Sequence, residues 1–130
     1  MWRILDANVN RSREGLRVCE DIARFYWDNP AWTRALKNTR QRITDVVLSR
    51  QQRKLLGSRA VGTDVGRGST PRELKRKNAG DIFLANMQRV KESLRVLEEV
   101  MKMQSPQKAA RLKRMRYSVY ALEKKALTKI

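Results

Sequence analysis

The sequence predicts an all-α protein: two copies of one helical hairpin forming a four-helix bundle, with a glycine-rich crossover loop and a short extra helical turn between them. Three observations predict it. Apolar residues recur at helical spacing over long stretches without proline. Asn29-Pro30 and Ser105-Pro106 are start signals of one kind, a capping side chain followed by a first-turn proline. Finally, ANVNRSREGLRVCED (Ala7 to Asp21) is written again, with changes, as ANMQRVKESLRVLEE (Ala85 to Glu99).

The first helix is expected from about Leu5 to Trp27, where Leu5, Leu16, Cys19, Ile22, Ala23 and Tyr26 recur at helical spacing. After Asn29-Pro30 a second helix carries Trp32, Leu36, Ile43 and Val47 on one face and is expected to run to about Leu56. The segment GSRAVGTDVGRGST, Gly57 to Thr70, has four glycines and no helical period, so it reads as the crossover loop. Thr70, Pro71 and Glu73 have the form of a capping box that restarts a helix, with a break expected near Gly80 before a long helix from Asp81 to Lys102. A last helix follows Ser105-Pro106 to about Lys129. The expected organisation is one domain: repeat 1 over about residues 3–56, the crossover over 57–70, and repeat 2 over about 71–130.

The repeat is specific in its polar residues. Asn8, Arg11, Glu14, Arg17 and Glu20 recur 78 positions later as Asn86, Arg89, Glu92, Arg95 and Glu98. Beyond the turn the offset is 76, pairing Pro30 with Pro106, Lys37 with Lys113 and Arg40 with Arg116. Stepping about 100° per residue places Asn8, Arg11, Asn86 and Arg89 inside the apolar arcs of their helices, with Glu14 and Glu92 at the arc edges. The same step places Arg40 and Arg116 in the arcs of the second and fourth helices. Four inward arginines are therefore expected. Such charges need carboxylate partners, an anionic ligand or both, because an isolated buried charge costs several kcal/mol. Two readings follow, a buried Arg-Glu lattice that sets the register of the hairpins and a phosphate-binding cleft, and they are compatible.

Composition narrows the chemistry. With no histidine, Ser-His-Asp and Cys-His catalysis and histidine-ligated metals are excluded, leaving carboxylates, amides, Lys, Arg and the backbone. The formal charge of +17 attracts polyanions without choosing among nucleotides, nucleic acid and phosphorylated metabolites. The single Cys19 has no intrachain disulfide partner, and neither a secretory leader nor a membrane-spanning run is evident, so a cytoplasmic location is expected. The crossover lacks the lysine of a nucleotide-binding P-loop, but Gly62, Gly66 and Gly68 around Asp64 and Arg67 would let backbone N–H groups approach an anion. A plain flexible crossover is the competing reading.

The opening WRILDANVNRSREGLRVCEDIARF, the central GTDVG and the later LANMQRVKESLRVLEEV resemble a small bacterial family of thiamin synthesis. Its members stand alone or are fused to thiamin-phosphate synthase and act as hydroxymethylpyrimidine phosphate kinases. The resemblance covers essentially the whole chain. It implies transfer of the γ-phosphate of ATP, with Mg2+, to 4-amino-5-hydroxymethyl-2-methylpyrimidine phosphate, and a functional link to thiamin-phosphate synthase. On position and chemistry, Arg11, Arg89, Glu14 and Glu92 are the expected catalytic residues. Asn8, Asn86, Arg40, Arg116, Gly62, Gly66 and Arg67 are expected to bind substrate or phosphate. Asp64, with Glu14 or Glu92, is expected to carry magnesium. A homodimer is left open. The rival readings are a basic helical RNA-binding or adaptor protein and a non-catalytic domain associated with the synthase. Nucleic acid is not favoured, because Phe25, Tyr26, Trp32 and Phe83 fall in expected core arcs.

Overall fold

The computed structural model describes residues 1–48, 62, 64–66, 68 and 75–130. Four helices dominate: α1 (Trp2–Asp21), α2 (Pro30–Val47), α3 (Ala79–Met101) and α4 (Pro106–Ala126), with no strand among the described residues. The result is the expected all-helical bundle. A π-helical turn, Ile22–Tyr26, prolongs α1, and a 3-10 turn, Leu127–Lys129, follows α4. The start signals act as capping predicts: the side chains of Asn29 and Ser105 accept from the backbone N–H groups of Trp32 and Lys108 at 3.0 and 3.2 Å. Asn78 likewise accepts from the Asp81 N–H at 2.9 Å, and α3 begins at Ala79. Gly80 is thus inside a helix, not a break; a Cβ there would meet Ile130 Cγ2 at 2.8 Å, so the glycine admits the C-terminal residue. The expected extension of the second helix to Leu56, the Thr70-Pro71-Glu73 box and the extra helical turn after the crossover lie outside the described residues.

Each hairpin pairs its own helices antiparallel, and α1 and α3 pair antiparallel between hairpins. The Cys19 thiol donates to the Phe83 carbonyl at 3.4 Å, and Gly15 lies against Asn86 and Val90. α2 and α4 also touch, closing the bundle. With residues of α1 equivalent to those of α3, the arrangement is an approximate twofold that exchanges the hairpins.

The central seam shows how divergence served packing. Leu5, Val9, Ser12, Leu16 and Cys19 on α1 with Ala23 in the π-turn that prolongs it, and Phe83, Met87, Val90, Leu94, Leu97 and Met101 on α3, are all buried and follow a four-then-three spacing. Where α1 and its π-turn have Ser12, Cys19 and Ala23, the equivalent positions of α3 have Val90, Leu97 and Met101. Small residues on one helix make room for large ones on the other, which fills the seam without overpacking. Gly15 marks the tightest approach: a Cβ there would sit 2.8 Å from Val90 Cγ2 and 3.0 Å from the Asn86 carbonyl oxygen.

The hairpins differ at their turns. The change of offset from 78 to 76 means that the first turn holds two more residues than the second. The π-turn absorbs part of this excess, bonding Trp27 N–H to the Ile22 carbonyl at 2.9 Å and Asn29 N–H to the Ala23 carbonyl at 2.8 Å. Asp28 completes it in the left-handed region, φ 48°, where aspartate is tolerated better than most residues. No helix among the described residues is long and apolar enough to cross a membrane.

Candidate phosphate-binding clefts

Two clamps of equivalent residues hold the hairpins. In the first, Glu20, 3% exposed, accepts from Arg40 Nε at 3.0 Å, and Arg17 approaches its other oxygen at 3.8 Å. In the second, Glu98, 2% exposed, accepts from Arg116 Nη2 at 3.4 Å and from Arg95 Nη1 at 3.1 Å. In each copy a carboxylate inside the hairpin is thus satisfied by one inner and one outer guanidinium, as a buried charge requires. Each outer arginine also reaches the next acidic residue, Arg17 to Asp21 at 3.8 Å and Arg95 to Glu99 at 3.0 Å. The inward placement expected for Arg40 and Arg116 is observed.

The inward placement expected for Arg11 and Arg89 is not: both are exposed, as are Glu14 and Glu92, which were expected at the arc edges. The reason lies in the layout of the bundle. α1 is covered by α3 on one side and by α2 on another, where Arg13 donates to Thr44 Oγ1 at 2.8 Å. Its third side, carrying Arg11 and Val18, is open, and α3 repeats this with Arg89. Glu14 does not hold Arg11; Arg11 Nη1 donates to Asn8 Oδ1 at 3.5 Å, and Glu92 accepts from Gln88 at 2.9 Å. Asn8 is buried and Asn86 half-buried, yet their amides donate back to the Ile4 and Ile82 carbonyls of their own helices, both at 2.8 Å. Phe25 and Tyr26 are exposed rather than in the core, while Trp32 is half-buried and Phe83 fully buried.

In the crossover, Gly62 and Gly66 are exposed, and Arg67 lies outside the described residues. The Asp64 carboxylate is exposed and accepts from the Gly66 N–H at 2.9 Å, closing a local turn. Among the described residues no three acidic, cysteine or histidine side chains gather as a metal-holding group, so Glu14, Glu92 and Asp64 are not assembled into one.

What the fold does assemble is a cleft of about 550 Å³ at the turn of the first hairpin, within the range of small-molecule sites. Arg17 and Arg24 line it from α1 and the π-turn, and Arg34 and Lys37 from the first two turns of α2. Glu20 and Asp28 supply two carboxylates against these four cations, and Asn29, Pro30 and Thr33 form the start of α2, whose dipole adds positive character. The two-residue excess of the first turn falls within this lining. Of these residues, Arg17, Glu20 and Lys37 were visible in the sequence only as repeated identities. Arg24, Asp28 and Arg34 gave no sequence signal. A second cleft, about 390 Å³, lies between α3 and α4 and includes Lys91, Arg95, Arg116 and Tyr120.

The buried Cys19 thiol is pushed up far above its ordinary pKa, first by burial and then by the negative charge of Glu123, so it is no nucleophile at neutral pH.

Comparison with known proteins adds the lineage. The chain is 42% identical over 122 residues to a thiamine-phosphate synthase of Synechocystis sp., covering 93% of this chain and 34% of that protein. It is 40% identical over 126 residues to one of Synechococcus sp. (96% and 35%) and 40% identical over 124 residues to one of Nostoc punctiforme (95% and 34%). The chain thus spans about a third of the length of the curated relatives it matches. No solved structure matches it at a significant level. The model of the ThiD2 family matches residues 3–125, nearly the whole chain, and the protein belongs to that family.

Proposed function

We propose that the protein is an ATP-dependent kinase that converts 4-amino-5-hydroxymethyl-2-methylpyrimidine phosphate to the diphosphate in thiamin biosynthesis. A phosphate oxygen of the pyrimidine substrate attacks the γ-phosphorus of ATP, the bond to the β-phosphate oxygen breaks, and ADP leaves. The observation that carries this reading is the first-hairpin cleft, where Arg17, Arg24, Arg34 and Lys37 surround one open space at a helix start. Phosphoryl transfer demands mainly positioning and neutralisation of charge on the phosphate oxygens, which such a set supplies without histidine or cysteine. Family membership and the thiamine-phosphate synthase relatives support the pathway.

The clamp gives Arg17 its role. Glu20, itself fixed by Arg40, holds Arg17 at the cleft wall. Asp28 lines the cleft, and its carboxylate would hold a magnesium ion brought with the substrate phosphates. The metal, when bound, screens charge between the phosphates. Arg11 does not line the cleft: six residues before Arg17 on α1, it is turned about 120° from it around the helix. This reading therefore moves the catalytic role from Arg11, Arg89, Glu14 and Glu92 to the residues of the cleft.

The test is to incubate the pure protein with ATP, magnesium and the pyrimidine phosphate and look for the pyrimidine diphosphate. No diphosphate from folded protein refutes the reading. The RNA-binding alternative gains one observation, the exposure of Phe25 and Tyr26 with Arg24 4.7 Å from the Phe25 ring centre. Tight, steeply salt-sensitive RNA binding without diphosphate formation would favour it. Silence in both assays would favour a non-catalytic domain.

A further inference from the structure

The duplicated clamp closes differently in its two copies. In the first hairpin, Arg40 turns Nε onto Glu20 at 3.0 Å, and Arg40 does not line the cleft. In the second, Arg116 reaches Glu98 through Nη2 at 3.4 Å, a long bond, while its Nε is buried without a hydrogen-bond partner. Arg116 is nine-tenths buried, yet it lines the cleft between α3 and α4. An orphaned buried N–H costs about 1–3 kcal/mol. The packing of the hairpin does not require that cost, because the sister hairpin avoids it with the same two residue types.

We propose that the α3–α4 cleft is a second anion site, built for a phosphate monoester, with Arg116 as its anchoring cation. Turning the Arg116 guanidinium until Nε faces Glu98, as Arg40 faces Glu20, satisfies the orphaned N–H. The same turn frees both terminal amino groups for the ligand, a fork that matches two phosphate oxygens. Arg95 adds positive charge while paired with Glu98 and Glu99, Tyr120 places a hydroxyl at the wall, and Gln88 donates at 2.9 Å to Glu92, the carboxylate of the lining. Lys91 is fixed in place, 2.7 Å from Glu123 and 4.7 Å from the centre of the Tyr120 ring. A space of about 390 Å³ takes a phosphate with a small organic group. The cleft belongs to the second hairpin, so its ligand is not the one held between Arg17 and Lys37, and the proposal goes beyond the kinase reading.

The experiment is an NMR titration of the isotope-labelled full chain with cytidine 5′-monophosphate, inorganic phosphate and cytidine. The monophosphate should shift the Arg116 Nε–H signal and the amides of residues 88–95 and 116–120, saturably, while cytidine should not. Loss of the fork in Arg116→Lys should weaken this binding about tenfold or more, and Tyr120→Phe about threefold. Arg34→Ala should leave it unchanged. Shifts confined to residues 17–37, unsaturable shifts spread over surface lysines, or undiminished binding in Arg116→Lys would overturn the site. Inorganic phosphate binding as tightly as the monophosphate would overturn the monoester assignment. If Arg116→Lys fails to fold, the exposed pair Gln88→Ala and Tyr120→Phe decides, and wild-type affinity in that double variant overturns the proposal. Diphosphate formation is measured separately, so failure of the kinase reading and failure of this site are distinguishable.

Discussion

Removing Glu20 tests the clamp on which the first cleft is built. Glu20→Ala leaves Arg40, whose side chain is 15% exposed, facing the hairpin interior without its 3.0 Å partner. Breaking one side of a buried pair costs about 3–5 kcal/mol, and the residual exposure of Arg40 sets the expectation near about 3 kcal/mol. For a domain of this size that corresponds to a fall in Tm of roughly 10 °C. Replacing both partners, Glu20→Ala with Arg40→Met, should recover most of the loss, because no unpaired charge remains. The assay is chemical denaturation of the wild type, the two single variants and the double, read as a double-mutant cycle. The equivalent cycle on Glu98 and Arg116 should give a smaller coupling, because its bond is 3.4 Å and leaves Nε unpartnered. Additive single effects at Glu20 and Arg40, with coupling below about 0.5 kcal/mol, would refute the clamp.

Other outcomes follow from the packing and the charges. Gly15→Ala gains roughly 1 kcal/mol of helix propensity but puts a Cβ 3.0 Å from the Asn86 carbonyl oxygen, so a net loss of about 1 kcal/mol is expected in a urea melt, and any stabilisation would contradict the tight seam. Burial raises the Cys19 thiol, so alkylation in native buffer should be slow and track the unfolded fraction under denaturant; rapid alkylation of the folded protein would show the α1–α3 contact to be open. The Glu99 carboxyl is held below its ordinary value of 4.5, first by the hydrogen bond from Lys102 and then by the charges of Lys102 and Arg95. A depressed folded pKa contributes stability present above the unfolded value and lost as pH falls through the folded one, so Glu99→Gln should lower stability slightly at neutral pH, leave it unchanged well below the folded pKa, and thereby flatten the acid limb of the stability curve.

The hairpins were legible because capping and periodicity are local signals, and the two copies corroborate each other. The failure at Arg11 and Arg89 has a physical cause. A hydrophobic arc reports how wide the covered face is but not where its edges fall, and Val18, which its apolar side chain alone puts in the arc, is 36% exposed on the open side. Counting it drew the arc toward Arg11 and away from Glu20, which lies on the side facing α2. Arg40 and Arg116 were found because their helices each bury one narrow face. The first cleft was hidden because it arises from a difference between copies: two extra residues, a π-turn and Asp28 at positive φ. Matching the repeats finds what they share, and the cleft lies where they do not match.

The most direct measurement compares diphosphate formation by Arg34→Ala, which removes a cation from the cleft on α2, with that by Arg11→Ala, which removes one from the open side of α1. The account predicts that both variants stay folded, that Arg34→Ala loses about a hundredfold or more in turnover, and that Arg11→Ala stays within about threefold of wild type. Abolished turnover in Arg11→Ala beside normal turnover in Arg34→Ala would place phosphoryl transfer on the open face and contradict the account.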